Sequence, residues 1–385
     1  MAYGLVAACG GEASPGQVQA AATSVPEPPA SSTIVSSAPD AGAEYSATHE
    51  LQGIAGWINS EPLTLAGLKG KVVLLDFWTY TCVNCIRTLP FLREWHRKYQ
   101  DLGLVIVGVH TPEFEFERRH DNVQTAALDY GLTYPIAQDN EYATWTAFGV
   151  QAWPTKLIIG PHGALRYMHQ GEGNYQETEL KIRELLREIG ADVEAIPIST
   201  DSGPQLDPIA LEAGLDTELT RELYGGFIRG VIGGGAYVIN PEYYAAPNQE
   251  LYYRDEGLRR NHFIFLEGVW RNGPESVRHA RETEDFEDYV GIEFFASSVN
   301  AVVTPEGESG FTVVITLDGR PLTNENKGAD VLLDESGKSF IRVDKSRMYR
   351  LVELPQFGGH ELLLSSNSSA FALYAFTFGA YQEGP

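Results

Sequence analysis

Lys71-Val72-Val73-Leu74-Leu75-Asp76-Phe77-Trp78-Thr79-Tyr80-Thr81-Cys82-Val83-Asn84-Cys85 is the stretch on which the chain turns. Its apolar run predicts a buried strand over 72–77, and the residues from Ile86 through Tyr99 carry the pattern of a helix. A strand that hands Cys-x-x-Cys to the start of a helix sets the first sulfur beside backbone N–H groups that lack helical partners. That end of a helix carries partial positive charge and favours a thiolate. The thiolate is the nucleophile of disulfide exchange, and the second cysteine resolves the mixed disulfide. Cys82 is therefore the candidate attacking sulfur, and Cys85 the more shielded resolving one.

Outward from this stretch, strand and helix patterns alternate. Residues 104–109, 134–137, 156–159 and 165–169 read as strands, and 115–130, 141–148 and 177–189 as helices. Residues 50–70, with Gly56-Trp57-Ile58 and Leu63-Thr64-Leu65, read as a lead-in hairpin. The alternation predicts an α/β domain over 46–192 with a largely parallel centre. The turn Pro161-His162-Gly163 adds an antiparallel edge. Residues 193–219, with Pro197, Gly203, Pro204 and Pro208, read as a linker with a short helix near 217–224. From 220 to 385 short alternating runs recur: 263–265, 289–295, 311–317, 331–333, 339–343, 349–354, 361–364 and 371–378. Asp318-Gly319, Ser336-Gly337 and Gly358-Gly359 supply turns between them. This pattern predicts an all-β sandwich of the jelly-roll kind, a separate unit that the redox chemistry does not require.

A chain of 385 residues exceeds what one hydrophobic core serves, and 43% apolar content suits globular folding. The net charge of −24 argues against nucleic acid and anionic lipid surfaces as partners. Of three cysteines, Cys9 is left over from the pair. Its setting, Leu5-Val6-Ala7-Ala8-Cys9-Gly10, resembles a bacterial lipoprotein cleavage site, although the part before it is short and has no basic residue. The bland alternative is an exposed thiol in a floppy tail. Residues 1–45, rich in Ala, Ser, Pro and Glu, read as a lipoprotein-like start and disordered tether. The expected location is extracytoplasmic, lipid-anchored at Cys9, with no other membrane contact; no later stretch is long and apolar enough to span a bilayer.

The first domain resembles the thioredoxin superfamily at fixed offsets. Asp76 lies six residues before Cys82 and is followed by Phe77-Trp78; Pro90 lies five after Cys85; Pro154 stands in Trp153-Pro154-Thr155 before the last strand pair. The resemblance implies that Asp76 is a buried proton carrier for Cys85 and that Pro154 is a cis proline facing the sulfurs. The extra residues at about 112–139 resemble the insertion of the TlpA and ResA branch, where Glu113 matches an active-site glutamate and shares the proton duty. Trp78-Thr79-Tyr80-Thr81-Cys82-Val83-Asn84-Cys85, Gly108-Val109-His110-Thr111-Pro112-Glu113-Phe114 and Gly171-Glu172-Gly173 resemble the extracytoplasmic region of DipZ-type proteins. That likeness covers about residues 50–380. It implies disulfide-bearing protein substrates, a membrane electron donor of the CcdA type, and a role in cytochrome c maturation or envelope redox homeostasis. It also implies a C-terminal β-domain likened to carbohydrate-binding modules. DipZ-type proteins begin with a membrane electron-transfer domain, which is missing here, so the donor is expected to be a separate protein.

Trp78, Tyr80 and Trp153, with Pro154 and Thr155, are expected to wall the dithiol groove. Tyr243-Tyr244, Tyr252-Tyr253 and Trp270 are candidates to stack on a glycan. Half a zinc site is the rival for the cysteine pair, but no further cysteine remains in the fold, and His96, His110 and His120 form no evident pair. A copper chaperone of the Sco type has a wider cysteine spacing, and a peroxiredoxin has proline where Leu75 stands. No metal and no cofactor beyond the redox-active disulfide Cys82–Cys85 is expected. The reading is a thiol–disulfide oxidoreductase. Reductase is favoured over oxidase because no histidine sits between the cysteines. The rival from another class is a surface binding protein acting through the β-domain. Asp76, Pro90 and Pro154 argue against it, because a dead site has no need of its proton carrier.

Overall fold

A computed structural model describes residues 50–381, apart from 200–202, 204, 214–218, 233–234, 306 and 308–309. Cys9 and the tether lie outside the described residues. The first sheet has six strands in the order β1 (Gly56–Ile58), β4 (Ile136–Gln138), β3 (Leu104–His110), β2 (Val72–Trp78), β5 (Thr155–Ile159) and β6 (Leu165–Gln170). β2, β3 and β4 run parallel, while β1, β5 and β6 pair antiparallel at the flanks.

Every residue of β2 is buried, because both faces of the sheet are covered. Alternate residues divide between two cores. Val72, Leu74 and Trp78 face α1 (Val83–Tyr99) and α4 (Tyr175–Glu188) through Leu89, Leu92, Trp95, Ile182 and Leu185. Val73, Leu75 and Phe77 face Trp145 and the lead-in loop. Pro90 lies inside α1.

Two expectations for this domain change. β1 pairs with β4, not with a hairpin partner, and Leu63 and Leu65 instead pack against the second core from irregular backbone. The helix expected over 115–130 is broken: Arg119 is extended (φ −72, ψ 123) and separates a 3-10 turn, Glu115–Arg118, from α2 (His120–Asp129).

The second sheet is antiparallel throughout and joins eleven strands. Its spine is β11 (Tyr289–Pro305) against β16 (Arg347–Ser366). β11 changes neighbour along its length. Tyr289 to Ile292 pair with β9 (Ile264–Asn272), whereas Ser298 onward pairs with β17 (Phe371–Gly379), with register shifts around Ala296–Asn300. The expected sandwich is thus one hydrogen-bonded sheet turned round a core that includes Trp270, Phe294, Ile341 and Phe371. Gly358-Gly359 is not a turn: the two runs expected at 349–354 and 361–364 are one strand. Gly359 stands opposite Phe295, and a Cβ there would come within 2.7 Å of that ring. Glycine at this point lets β16 pass the aromatic. Leu223–Tyr224, expected in a helix, is a short strand on β17.

The two domains share an apolar cluster. Val83, Phe114, Ile86 and Phe116 of the first pack with Val302, Met348, Ala372, Tyr374 and Ala375 of the second. β11 explains how. With a period of two, Val299, Ala301 and Val303 enter the β-domain core, and Val302 faces the first domain. The two units expected from the sequence thus meet in a packed junction.

Candidate active site

Cys82 caps the N-terminus of α1 in extended conformation (φ −73, ψ 114), and its Sγ accepts the N–H of Cys85 at 3.3 Å. Cys82 is half-buried and Cys85 fully buried; both are free thiols. Burial, then the neighbouring Cys82 sulfur, push the Cys85 thiol well above its ordinary value. One sulfur is thus presented to a partner while the other is held back as a neutral thiol.

Asp76 is fully buried in β2, and neither carboxylate oxygen has a hydrogen-bond partner among the described residues. Burial raises its pKa to about 6, with the Lys156 ammonium opposing. Lys156 is also fully buried, stands across from Asp76 in the β2–β5 register, and donates from Nζ to Gly171 O at 3.3 Å. Burial lowers its pKa, while Asp76, Cys85 and Glu172 act against that. Sequence reading missed this lysine. The signal was a charged residue directly before the apolar run Leu157-Ile158-Ile159 within one strand, Thr155–Ile159.

The groove residues divide. Trp153 is half-buried, packs on Trp145 and donates from Nε1 to Thr111 O at 3.1 Å. Pro154 follows it through a cis bond. Thr155 is buried and bonds Ala152 O. Trp78 and Tyr80 are not groove walls: both rings are buried, Trp78 edge-on to His110 and Tyr80 stacked on the same imidazole. Gly108 makes room for Trp78, whose Nε1 would lie 2.9 Å from a Cβ there. Desolvation holds His110 down at about 3, so it is neutral; its Nε2 lies 3.3 Å from Thr79 Oγ1.

Glu113 does not turn toward the sulfurs. Its Oε1 meets Arg229 Nη2 at 2.9 Å and the Tyr224 hydroxyl at 3.0 Å, both from the second domain. The buried acid of this segment is Glu117. Its Oε1 accepts from Thr81 Oγ1 at 2.6 Å, and its Oε2 accepts the N–H groups of Glu113 and Phe114 at 2.6 and 3.0 Å. Burial, with a smaller push from Glu113, raises its pKa to about 7. In Glu113-Phe114-Glu115-Phe116-Glu117 the sequence offers three acids at alternate positions. A glutamate three residues into a turn, folding back on backbone N–H groups, was the available cue.

Gly171-Glu172-Gly173 contributes as well. Gly171 O receives Lys156, and Glu172 lies 3.5 Å from Arg87 and accepts from the Tyr381 hydroxyl, with the Arg87 guanidinium 4.5 Å over the Tyr381 ring. The glycan platform is not assembled. Tyr243, Tyr253 and Trp270 are buried in the core and Tyr244 packs against it, leaving Tyr252 exposed.

Residues 40–168 match the family model described as AhpC/TSA family, and residues 220–379 the one described as Thioredoxin like C-terminal domain. Protein DipZ of Mycobacterium bovis is 36% identical over 280 residues, which are 71% of this chain and 37% of that protein. The chain thus spans little more than a third of that relative. Thiol-disulfide oxidoreductase YkuV of Bacillus subtilis is 29% identical over 36% of this chain and 93% of its own length. Thiol-disulfide oxidoreductase ResA of Halalkalibacterium halodurans is 31% identical over 32% of this chain and 66% of its own.

Proposed function

We propose that this chain, a thioredoxin-like domain docked on an antiparallel β-domain, is an extracytoplasmic thiol–disulfide oxidoreductase that reduces protein disulfides. The observation that carries the reading is the arrangement of the two sulfurs: Cys82 half-exposed at the helix start, Cys85 buried behind it, and an unpaired buried carboxylate, Asp76, in the strand below. The Cys82 thiolate attacks one sulfur of the substrate disulfide. The other substrate sulfur leaves as thiolate and takes a proton from solvent. Cys85 then passes its proton to Asp76 and attacks Cys82 Sγ, so the second substrate sulfur leaves. Two electrons have moved to the substrate, and the enzyme holds a Cys82–Cys85 disulfide. A membrane dithiol donor of the CcdA type reduces it again.

The relatives named as thiol–disulfide oxidoreductases support this chemistry for the first domain. The lipoprotein-like Leu5–Gly10 stretch supports a lipid anchor at Cys9 and an extracytoplasmic place. Among the described residues no helix is long and apolar enough to cross a membrane. The test is reduction of insulin by dithiothreitol with and without the full chain, together with Cys85→Ser as a trap. Turnover by wild type and mixed disulfides on Cys82 in the variant are expected. No acceleration over dithiothreitol alone overturns the reading.

A further inference from the structure

We infer that residues 113–117 make the C-terminal domain a working part of the redox site: Arg229 and Tyr224 anchor Glu113, and Glu117 holds the loop that presents Cys82. This rests on the oxidoreductase reading and gives the second domain a task within it, positioning the attacking sulfur.

The chain of contacts is continuous. On the far side, the Glu113 carboxylate meets Arg229 and Tyr224, and the Arg229 guanidinium lies 4.4 Å over the Tyr224 ring. The Glu115 N–H donates to Glu275 of the second domain at 3.0 Å. Phe114 and Phe116 set their rings against Tyr374, 5.2 and 4.8 Å between centroids. Four successive residues are thus committed to the C-terminal domain. On the near side, the backbone N–H groups of Glu113 and Phe114 both point at the Glu117 carboxylate, whose other oxygen takes the Thr81 hydroxyl. Thr81 is buried and adjoins Cys82, and the Cys82 N–H in turn donates to Thr79 O at 3.4 Å.

Glu117 touches neither sulfur, so it is a positioning residue. Its position is set by two donors whose own backbone is pinned by the second domain. A buried carboxylate with three donors is costly to disturb, because each lost partner leaves a desolvated acceptor. If the docking of Glu113 loosens, the two backbone donors move, Glu117 moves with them, and the Thr81 bond that steadies the cysteine loop weakens. Val83, between the two cysteines, is buried in one apolar cluster with residues of the second domain, Met348 and Tyr374 among them, so that domain bears on the loop here too.

The readout is the equilibrium constant of the Cys82–Cys85 disulfide against glutathione, measured in the full chain by trapping thiols. Arg229→Met and Tyr224→Phe, neither of which changes a residue bonded to a sulfur, are each expected to shift it by about three- to tenfold, as is Thr81→Val. The double variant Tyr224→Phe with Thr81→Val is expected to shift it no more than the larger single change, since both break one chain of contacts. Glu117→Gln, which keeps an acceptor oxygen, should stay closer to wild type than Glu117→Ala. Melting curves and near-ultraviolet circular dichroism identify any variant that fails to fold. Should Arg229→Met do so, Tyr224→Phe, which removes one hydroxyl, carries the test. A constant unmoved by more than about twofold in folded Arg229→Met and Tyr224→Phe overturns the inference. A wild-type chain that forms no Cys82–Cys85 disulfide at any glutathione ratio overturns the oxidoreductase reading itself, so the two failures are distinct.

Discussion

Lys156 stands directly across from Asp76 in the antiparallel β2–β5 register, and both side chains are fully buried near Cys85. Residues opposite each other in such a pair share one face of the sheet. Burial drives each toward its neutral form, the acid up to about 6 and the ammonium down, while their mutual attraction resists. A proton leaving Cys85 therefore enters a site where a carboxylate is ready to accept it and a cation limits the cost of the charge it leaves. Tyr134 also faces Asp76, and Glu172, His169 and Tyr175 face Lys156.

The first prediction concerns Asp76 and stability. Its folded pKa, about 6, lies above the unfolded value of 3.8. Its contribution to stability is thus full below 3.8 and is lost as pH rises to about 6. At pH 7 the ionised buried carboxylate costs roughly 3 kcal/mol by the pKa difference. Asp76→Asn should raise the melting temperature at pH 7 to 8, and the gain should vanish below pH 4. A variant less stable than wild type at pH 7.5 contradicts this.

Rate gives the second prediction. The resolving step needs Asp76 ionised, so its rate in the wild type should climb as pH rises through about 6. Lys156→Met removes the charge that opposes burial, and the Asp76 pKa should move further up. The climb should then occur at higher pH, as followed by stopped-flow release of a thiol from the Cys82 mixed disulfide. An unshifted profile would show that Lys156 does not bear on the proton transfer.

Third, the junction should be essential to the redox domain. A fragment of residues 50–195 uncovers Val83, Phe114 and Phe116, which the C-terminal domain buries. It should bind a hydrophobic dye, melt below the full chain and reduce insulin more slowly. Val83→Asp in the full chain should cost about 3 kcal/mol or more, because it buries an unpaired charge. Equal melting points and rates for fragment and full chain would mean that the docking is incidental.

Fourth, the unbroken β16 is testable at Gly359. A Cβ there meets the Phe295 ring at 2.7 Å, so Gly359→Ala should destabilise by about 1–3 kcal/mol. Gly337, at φ 83 in a turn and with open space around it, should lose about 1 kcal/mol to alanine through backbone strain alone. Trimming the ring in Phe295→Leu should relieve Gly359→Ala and leave Gly337→Ala unchanged. Thermal melts of the singles and doubles decide it.

Much of the redox domain was legible because its signals are local. A strand buried on both faces reads as a near-continuous apolar run, and Val72–Trp78 is one, broken by Asp76 alone. The helix that follows starts where the cysteine caps it, and Pro90 marks its interior. In the C-terminal domain, alternation revealed strands but not their joins. Gly358-Gly359 has the composition of a turn, yet the strand runs through it because a ring on β11 needs the space. Glu113 and Glu117 show the limit most plainly. Both are acids in one alternating stretch; the spacing of Glu117 within its turn hints that it folds back on backbone N–H groups, but nothing local says that Glu113 faces a cation from another domain.

The resemblance to the thioredoxin superfamily supplied the proline loop at Pro154; the sequence by itself determined two cysteines at a strand–helix junction and an acid six residues before the first of them. These follow from periodicities of two and 3.6 and from fixed offsets along the chain, which are properties of neighbouring residues. Tertiary structure alone decided that Lys156 lies against Asp76, that Glu117 holds Thr81, and that Arg229, more than a hundred residues on, holds Glu113. Those pairings depend on how strands register and domains dock. Burial of the junction outweighs any local preference of the side chains that meet there.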